Sequence, residues 1–210
     1  MKTVIISALA LTTIFYNSFS QDNISEPQYI LLKKDKNITL WYRWILLSDK
    51  RTTRELKAEF IVSAIPDQVL SVLRNDKLAL QWMQGVKEFN HLNKASENCW
   101  FTYLQYEIPW PLSNQDCIIR YNLQINGKDK GYYISLTGEP GYIPAKQGVT
   151  RIPHLRGNWK IVPLGSKQSK VAYTIYSAQK PTFPRWITDP LIQNNLIKTM
   201  QAFKEITEKK

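Results

Sequence analysis

The chain carries two histidines, His91 and His154, and two cysteines, Cys99 and Cys117, and these few groups bound the chemistry it can host. General acid–base work needs a titratable side chain held against the proton it moves. The candidates are His91, His154, Glu107 and Asp116, and His154, which opens a strand after Pro153, is the better histidine. No serine or cysteine nucleophile stands beside a base in the sequence, and no spacing suits a metal ion. The expectation is therefore a chain with no catalytic residue, no metal and no cofactor. The cysteines can pair in an oxidising compartment. They sit near the starts of two successive strands, however, and an antiparallel hairpin sets Cys99 against the neighbourhood of Ile125. Two buried free thiols are expected.

What the chain does carry is the segment Pro109-Trp110-Pro111-Leu112-Ser113-Asn114-Gln115-Asp116 between two strand-like stretches, Glu97 to Ile108 and Cys117 to Asn126. Two prolines remove two backbone donors and fix φ, so neither strand runs through it. A plain hairpin needs only two residues such as Asn-Gly. Eight residues spent on a stiff apolar lip with a large aromatic suggest a loop that covers something.

The strands on either side alternate. Cys117, Ile119, Tyr121, Leu123 and Ile125 share one face, opposite Arg120, Asn122 and Gln124. Trp100, Thr102, Leu104, Tyr106 and Ile108 share another. Val171, Tyr173, Ile175 and Ser177 line a third strand, with Tyr132, Ile134 and Leu136, and Trp159 and Ile161, on two more. Taken singly, such residues are more often core, because aromatics also favour strands. Together they are rich in Tyr and Trp, large apolar bodies with one polar atom each. That is the composition of a hydrophobic ligand site with a few polar tips.

These residues need a scaffold. Tyr29 to Lys34, Ile38 to Leu46 and Thr52 to Ser63 read as strands, the first pair joined by Lys34-Asp35-Lys36-Asn37. Pro66 and Asp67 open one short helix, and Asn75-Asp76 opens a second, Lys77 to Met83, closed by Gly85. Strands follow at Val86 to Leu92, Glu97 to Ile108, Cys117 to Asn126, Gly131 to Thr137, His154 to Pro163 and Lys170 to Gln179. A Pro- and Gly-rich connection from Gly138 to Pro153 is long enough to be functional. The chain ends in an amphipathic helix from near Trp186 or Pro190 to Thr207, with a stripe of Ile192, Leu196, Thr199, Phe203 and Ile206. The fold class is α+β: a curved antiparallel sheet wrapped around a long C-terminal helix, with two short helices between the third and fourth strands. A cavity is expected between sheet and helix.

Residues 1–20 read as a signal peptide: Lys2, an apolar run from Val4 to Phe15, and small residues before Gln21. The run is shorter than the about 20 residues a spanning helix needs. Export as a periplasmic or secreted, soluble chain is expected, with cleavage near Ser20 and one domain over 21–210. Removing Lys2 lowers the formal net charge from +11 to +10. The lysines are scattered, so no nucleic-acid partner is expected, while transient attraction to an anionic membrane surface fits the charge. A monomer is expected.

The segment Pro109–Asp116 resembles the Pro-Trp-Pro-x-x-x-Arg-Asp signature of the START family, the lipid-binding helix-grip module. Trp82, Gly157-Asn158-Trp159-Lys160-Ile161-Val162-Pro163 and Phe183-Pro184-Arg185-Trp186-Ile187 add to the resemblance, which spans about Lys33 to Ile206. It implies a tunnel between sheet and C-terminal helix that holds one lipid or sterol-like molecule for binding or transfer. The candidate lining is Trp82, Trp100, Leu104, Tyr106 and Trp110, then Ile119, Tyr121 and Leu123, then Tyr173, Ile175, Trp186, Ile192 and Leu196. Pro109, Trp110, Pro111, Gln115 and Asp116 form the motif loop. Passage of a ligand implies that the long helix, or the loops around Trp110 and from Gly138 to Pro153, swing aside. Gln115 departs from the pattern: it cannot form the bidentate ion pair of a guanidinium, and Asp116 is left to find backbone donors or another basic residue. The wider superfamily also includes cyclases and hydrolases, so an enzyme acting on a hydrophobic substrate is the alternative. A scaffold with a filled interior is the third reading.

Overall fold

A computed structural model of the chain describes residues 28–110, 113–128, 130–179 and 184–210. The expected leader, Pro111 and Phe183 lie outside the described residues. Ten strands form one sheet: β1 (Ile30–Asp35), β2 (Ile38–Leu46), β3 (Thr52–Val62), β4 (Val86–Ser96), β5 (Cys99–Tyr106), β6 (Gln115–Ile125), β7 (Tyr132–Gly138), β8 (Thr150–Arg151), β9 (Leu155–Pro163) and β10 (Ser169–Ser177). Helices α1 (Pro66–Leu73) and α2 (Asp76–Trp82) fall between β3 and β4, and α3 (Arg185–Glu208) comes last. The antiparallel order is β1-β2-β3-β10-β9-β7-β6-β5-β4, with β8 paired parallel to β6. The curved sheet and terminal helix are the architecture expected from the sequence.

Local chemistry explains the joints. Lys36 and Asn37 take φ of 44° and 66°, the two-residue reversal whose twist matches the flanking strands. Pro66 starts α1, where its missing N–H costs nothing, and Gln68 Oε1 accepts from the Ile65 amide at 3.0 Å. Asn75 caps α2 by accepting from the Leu78 amide at 3.3 Å. Gly85, at φ 76°, then turns the chain into β4. β4 runs to Ser96, past the expected end at Leu92, because register shifts let it bulge where the alternation breaks.

The concave rows of β2, β3, β7, β9 and β10 bury Leu40, Phe60, Ile134, Trp159 and Val171 against α1–α3. At the C-terminal half of α3 the space is filled by aromatics. The Phe203 ring lies 4.9 Å from Trp82, 5.1 Å from Trp159 and 6.3 Å from Phe60. The same half of α3 is tied down by polar bonds: Glu208 accepts from the Ser63 amide at 2.9 Å, and Lys204 donates to the Ile61 carbonyl at 2.8 Å.

Three expectations change. α3 begins at Arg185 and runs through Pro190, whose ring leaves the Trp186 carbonyl without its helical donor. Its buried residues are Ile197, Met200, Phe203 and Thr207, whereas Ile192 of the expected stripe is exposed, because the first half of the helix faces open space rather than side chains. Cys99 pairs in register with Asn122 and Cys117 with Leu104, so the two are free; Cys117 is buried, but Cys99 is only partly so.

Candidate ligand cavity

Between the concave sheet and the N-terminal half of α3 lies a cavity of about 490 Å³, within the ~300–1,000 Å³ usual for small-molecule sites. Inward rows of the strands build one wall. β5 supplies Leu104 and Tyr106, β6 supplies Gln115, Ile119 and Tyr121, and β10 supplies Tyr173 and Ile175. Leu191, Ile192, Asn195, Leu196, Thr199 and Met200 of α3 form the opposite wall. Trp82, Met83, Gly85 and Val86 close one side, and Trp159 reaches the cavity from the aromatic cluster.

Charge is confined to particular places. Arg54 of β3 and Asp189 of α3 pair at 2.7 Å, both mostly buried, and so latch the first half of the helix to the sheet. Glu107 at the rim pairs with Lys87 at 3.6 Å. The Arg185 guanidinium lies 4.9 Å over the Trp44 ring. Inside, burial pushes the hydroxyls of Tyr106, Tyr121 and Tyr173 well above the ordinary phenol range and the Cys117 thiol up to about 12. All four are protonated at neutral pH.

Of the residues singled out from sequence, Trp82, Leu104, Tyr106, Pro109, Gln115, Ile119, Tyr121, Tyr173, Ile175, Ile192 and Leu196 line this cavity. Trp100 and Leu123 do not. They are buried further along β5 and β6, where Trp100 stacks on Tyr121 at 5.1 Å and lies under Arg74. Trp110 and Trp186 point away from the interior, 91% and 77% exposed. Ile125 is exposed at the end of β6.

Asp116 faces the convex side of the sheet, where it is 1% exposed. Arg151 of β8 takes up the partnership that the sequence left open. Its Nε donates to Asp116 Oδ1 at 2.6 Å and its Nη2 to Oδ2 at 3.0 Å. Arg151 also donates to the carbonyls of Pro140, Ile143 and Pro144. Tyr142 stacks on Phe101 at 4.3 Å, and Lys146 pairs with Glu88 at 2.7 Å. The long connection before β9 is therefore fastened to the outer face of the sheet, and only its Ile152 reaches the cavity, near Leu155 at the start of β9.

The acid–base candidates are scattered. His91 Nε2 lies 2.9 Å from Asp76 outside the cavity, and His154 is exposed at φ 43°. Among the described residues no three or more His, Cys, Asp or Glu side chains could hold a metal ion, and no helix is long and apolar enough to cross a membrane. Sequence reasoning missed the Arg54–Asp189 latch. Arg54 was findable, since it extends the inward row of Leu56, Ala58 and Phe60 by two positions.

No family model matches the chain. It is 25% identical over 142 residues to an uncharacterized protein of Pseudomonas aeruginosa, covering 67% of this chain and 69% of that one. It is 26% identical over 152 residues to the phosphatidylcholine transfer protein of Bos taurus, covering 67% and 70%. Its structure matches the STAR-related lipid transfer protein of Xanthomonas axonopodis with a TM-score of 0.75 and 27% identity, over 85% of this chain and 98% of that one. In sequence and fold the chain resembles the START family of lipid transfer domains. Two of these relatives are lipid transfer proteins by name. In this chain the residue before Asp116 is Gln115, which lines the cavity, and the guanidinium that holds Asp116 comes instead from a separate strand, on the opposite face of the sheet.

Proposed function

We propose that the protein is a non-enzymatic carrier or sensor that encloses one lipid- or sterol-like molecule between the sheet and α3, outside the cytoplasm and without a cofactor. The observation that carries this reading is the cavity's position. It opens under the half of α3 held mainly by the Arg54–Asp189 pair, while the other half is anchored by Phe203, Lys204 and Glu208. A chain buried there gains about 0.8 kcal/mol per CH₂, so affinity needs few polar contacts. Exchange occurs by separation of Arg54 from Asp189 and outward movement of the first turns of α3. The connection fastened by Arg151 stays in place.

A transient membrane partner fits the same end of the molecule. Trp110 follows the cavity-lining Pro109, and Trp186 follows the cavity-lining Arg185. Exposed tryptophans settle at the headgroup level of bilayers, and the net positive charge favours anionic lipid. Native mass spectrometry of the purified mature chain, followed by rebinding of a lipid and sterol panel to the delipidated protein, tests the reading. A retained or rebound hydrophobic molecule at one per chain is the expected result. Failure to bind any member of a broad panel overturns it.

A further inference from the structure

We infer that the cavity selects ligands carrying an uncharged hydrogen-bonding oxygen, gripped by the hydroxyls of Tyr106, Tyr121 and Tyr173. This deepens the carrier reading and rests on it. The three side chains come from β5, β6 and β10 and all line the one cavity. Tyr106 pairs with Gln115 and Tyr121 with Trp100 across β5 and β6, and Tyr173 lies opposite Trp159 of β9, so the phenols reach the cavity from different levels of its wall. Each phenol feels the electrostatic influence of Cys117, and Tyr106 and Tyr173 that of Tyr121.

Their hydrogen-bonding capacity is unspent. No hydrogen bond to the Tyr106 or Tyr173 hydroxyl is formed among the described residues. The hydroxyl of Thr102, 1% exposed and not part of the cavity lining, interacts with that of Tyr121. Tyr106 and Tyr173 are only partly buried and border the cavity, so their hydroxyls are open to a ligand that enters it. A ligand oxygen within reach of these donors satisfies them.

The same surroundings disfavour a charge. The charged residues of the lining, Arg54, Glu107, Arg185 and Asp189, come from β3, the segment after β5 and the first turns of α3, and Gln115 among the tyrosine-bearing strands is neutral. The paired Arg54 is four positions along β3 from Ala58, the register partner of Tyr173, which is about 13 Å of strand. An ionised head group placed among the tyrosines would lose its hydration and gain no countercharge. A hydroxyl, ester or ketone loses far less and accepts or donates to the phenols.

Displacement of Nile red from the delipidated full mature chain at pH 8 by 1-hexadecanol, methyl palmitate and palmitate tests this. The alcohol and ester are expected to displace the dye at least tenfold more effectively than the carboxylate. Tyr106→Phe/Tyr173→Phe is expected to weaken 1-hexadecanol about three- to tenfold per hydrogen bond lost, each competition being referred to the Nile red affinity of the same variant because the dye's own carbonyl can use these donors. Palmitate that competes as well as the alcohol overturns the inference and leaves the carrier reading standing, as does an unchanged alcohol affinity in the double variant. The wild-type comparison needs no substitution and decides even if a variant misfolds. If Nile red binds but none of the three displaces it, the tyrosine inference fails; if neither dye nor lipid panel binds, the carrier reading fails with it.

Discussion

Arg151 and Asp116 face each other across a two-residue parallel bridge, two guanidinium nitrogens on two carboxylate oxygens, on the outer face of the sheet behind the cavity. The pair joins β6 to the connection before β9, and three carbonyls of that connection use the remaining donors of Arg151. Asp116 is the more deeply buried partner. Arg151→Ala leaves its carboxylate without countercharge, a loss of about 3–5 kcal/mol for a buried pair. Urea unfolding should show that drop, and Arg151→Lys should recover only part of it because an ammonium cannot reproduce the fork. An Arg151→Ala protein as stable as wild type would mean that the Tyr142–Phe101 stack and the Lys146–Glu88 pair hold the connection without it.

Gly157 sits where β9 and β10 approach each other. A Cβ there would meet the Thr174 carbonyl oxygen at 2.2 Å. Gly→Ala often stabilises by about 0.4–1 kcal/mol through the unfolded chain. Here the clash reverses the sign, and Gly157→Ala should cost about 1–3 kcal/mol as the strands spread. The denaturant midpoint checks it. Ligand affinity should fall as well, since Trp159 and Tyr173, on the same two strands, both line the cavity.

Much of this was legible in the sequence for a physical reason. Alternation fixes which face of a strand is apolar, and the signals at Pro66, Asn75 and Gly85 fix where the two short helices begin and end. The inward rows of β5, β6 and β10 were read correctly on that basis. Alternation says nothing of depth along a strand relative to α3, however. Trp100 and Leu123 belong to the same rows as Leu104 and Ile119, yet they are covered by packing while the others border the cavity. Nor did it say that Trp110, in a lip read as a cover, points outward. Arg151 was illegible as the partner of Asp116 because the two lie 35 residues apart and meet only through an irregular connection.

Trp110 and Trp186 are the most exposed of the large apolar side chains described here. Their burial in a lipid interface should shift tryptophan emission to the blue on vesicles containing phosphatidylglycerol, and less so on neutral phosphatidylcholine vesicles. Trp110→Ala and Trp186→Ala should each weaken vesicle binding and slow lipid exchange. Thermal stability should stay within about 0.5 kcal/mol of wild type, as is usual for exposed positions. Vesicle binding unchanged in the double variant would remove these two residues from the docking surface.

The cavity tyrosines and Cys117 set the response to alkali. In the folded chain the Cys117 thiol is pushed up to about 12 by burial, whereas an unfolded cysteine ionises near ~8.5. Above that pH the unfolded state holds fewer protons than the folded one, so stability falls as pH rises. The contribution is fully present below pH ~8.5 and is lost progressively toward 12, by up to about 1.4 kcal/mol per pH unit. Tyr106, Tyr121 and Tyr173 are raised by the same burial, and they add to the slope once unfolded tyrosine begins to ionise near ~10. Urea midpoints measured from pH 7 to 11 should therefore decline with increasing steepness, and tyrosinate absorbance should show these three phenols ionising only as the protein unfolds. Cys117→Ser removes the first part of the decline, and at pH 8 a thiol reagent should label Cys99 ahead of Cys117. A flat stability profile to pH 11, or early reaction at Cys117, would show that water reaches this interior freely.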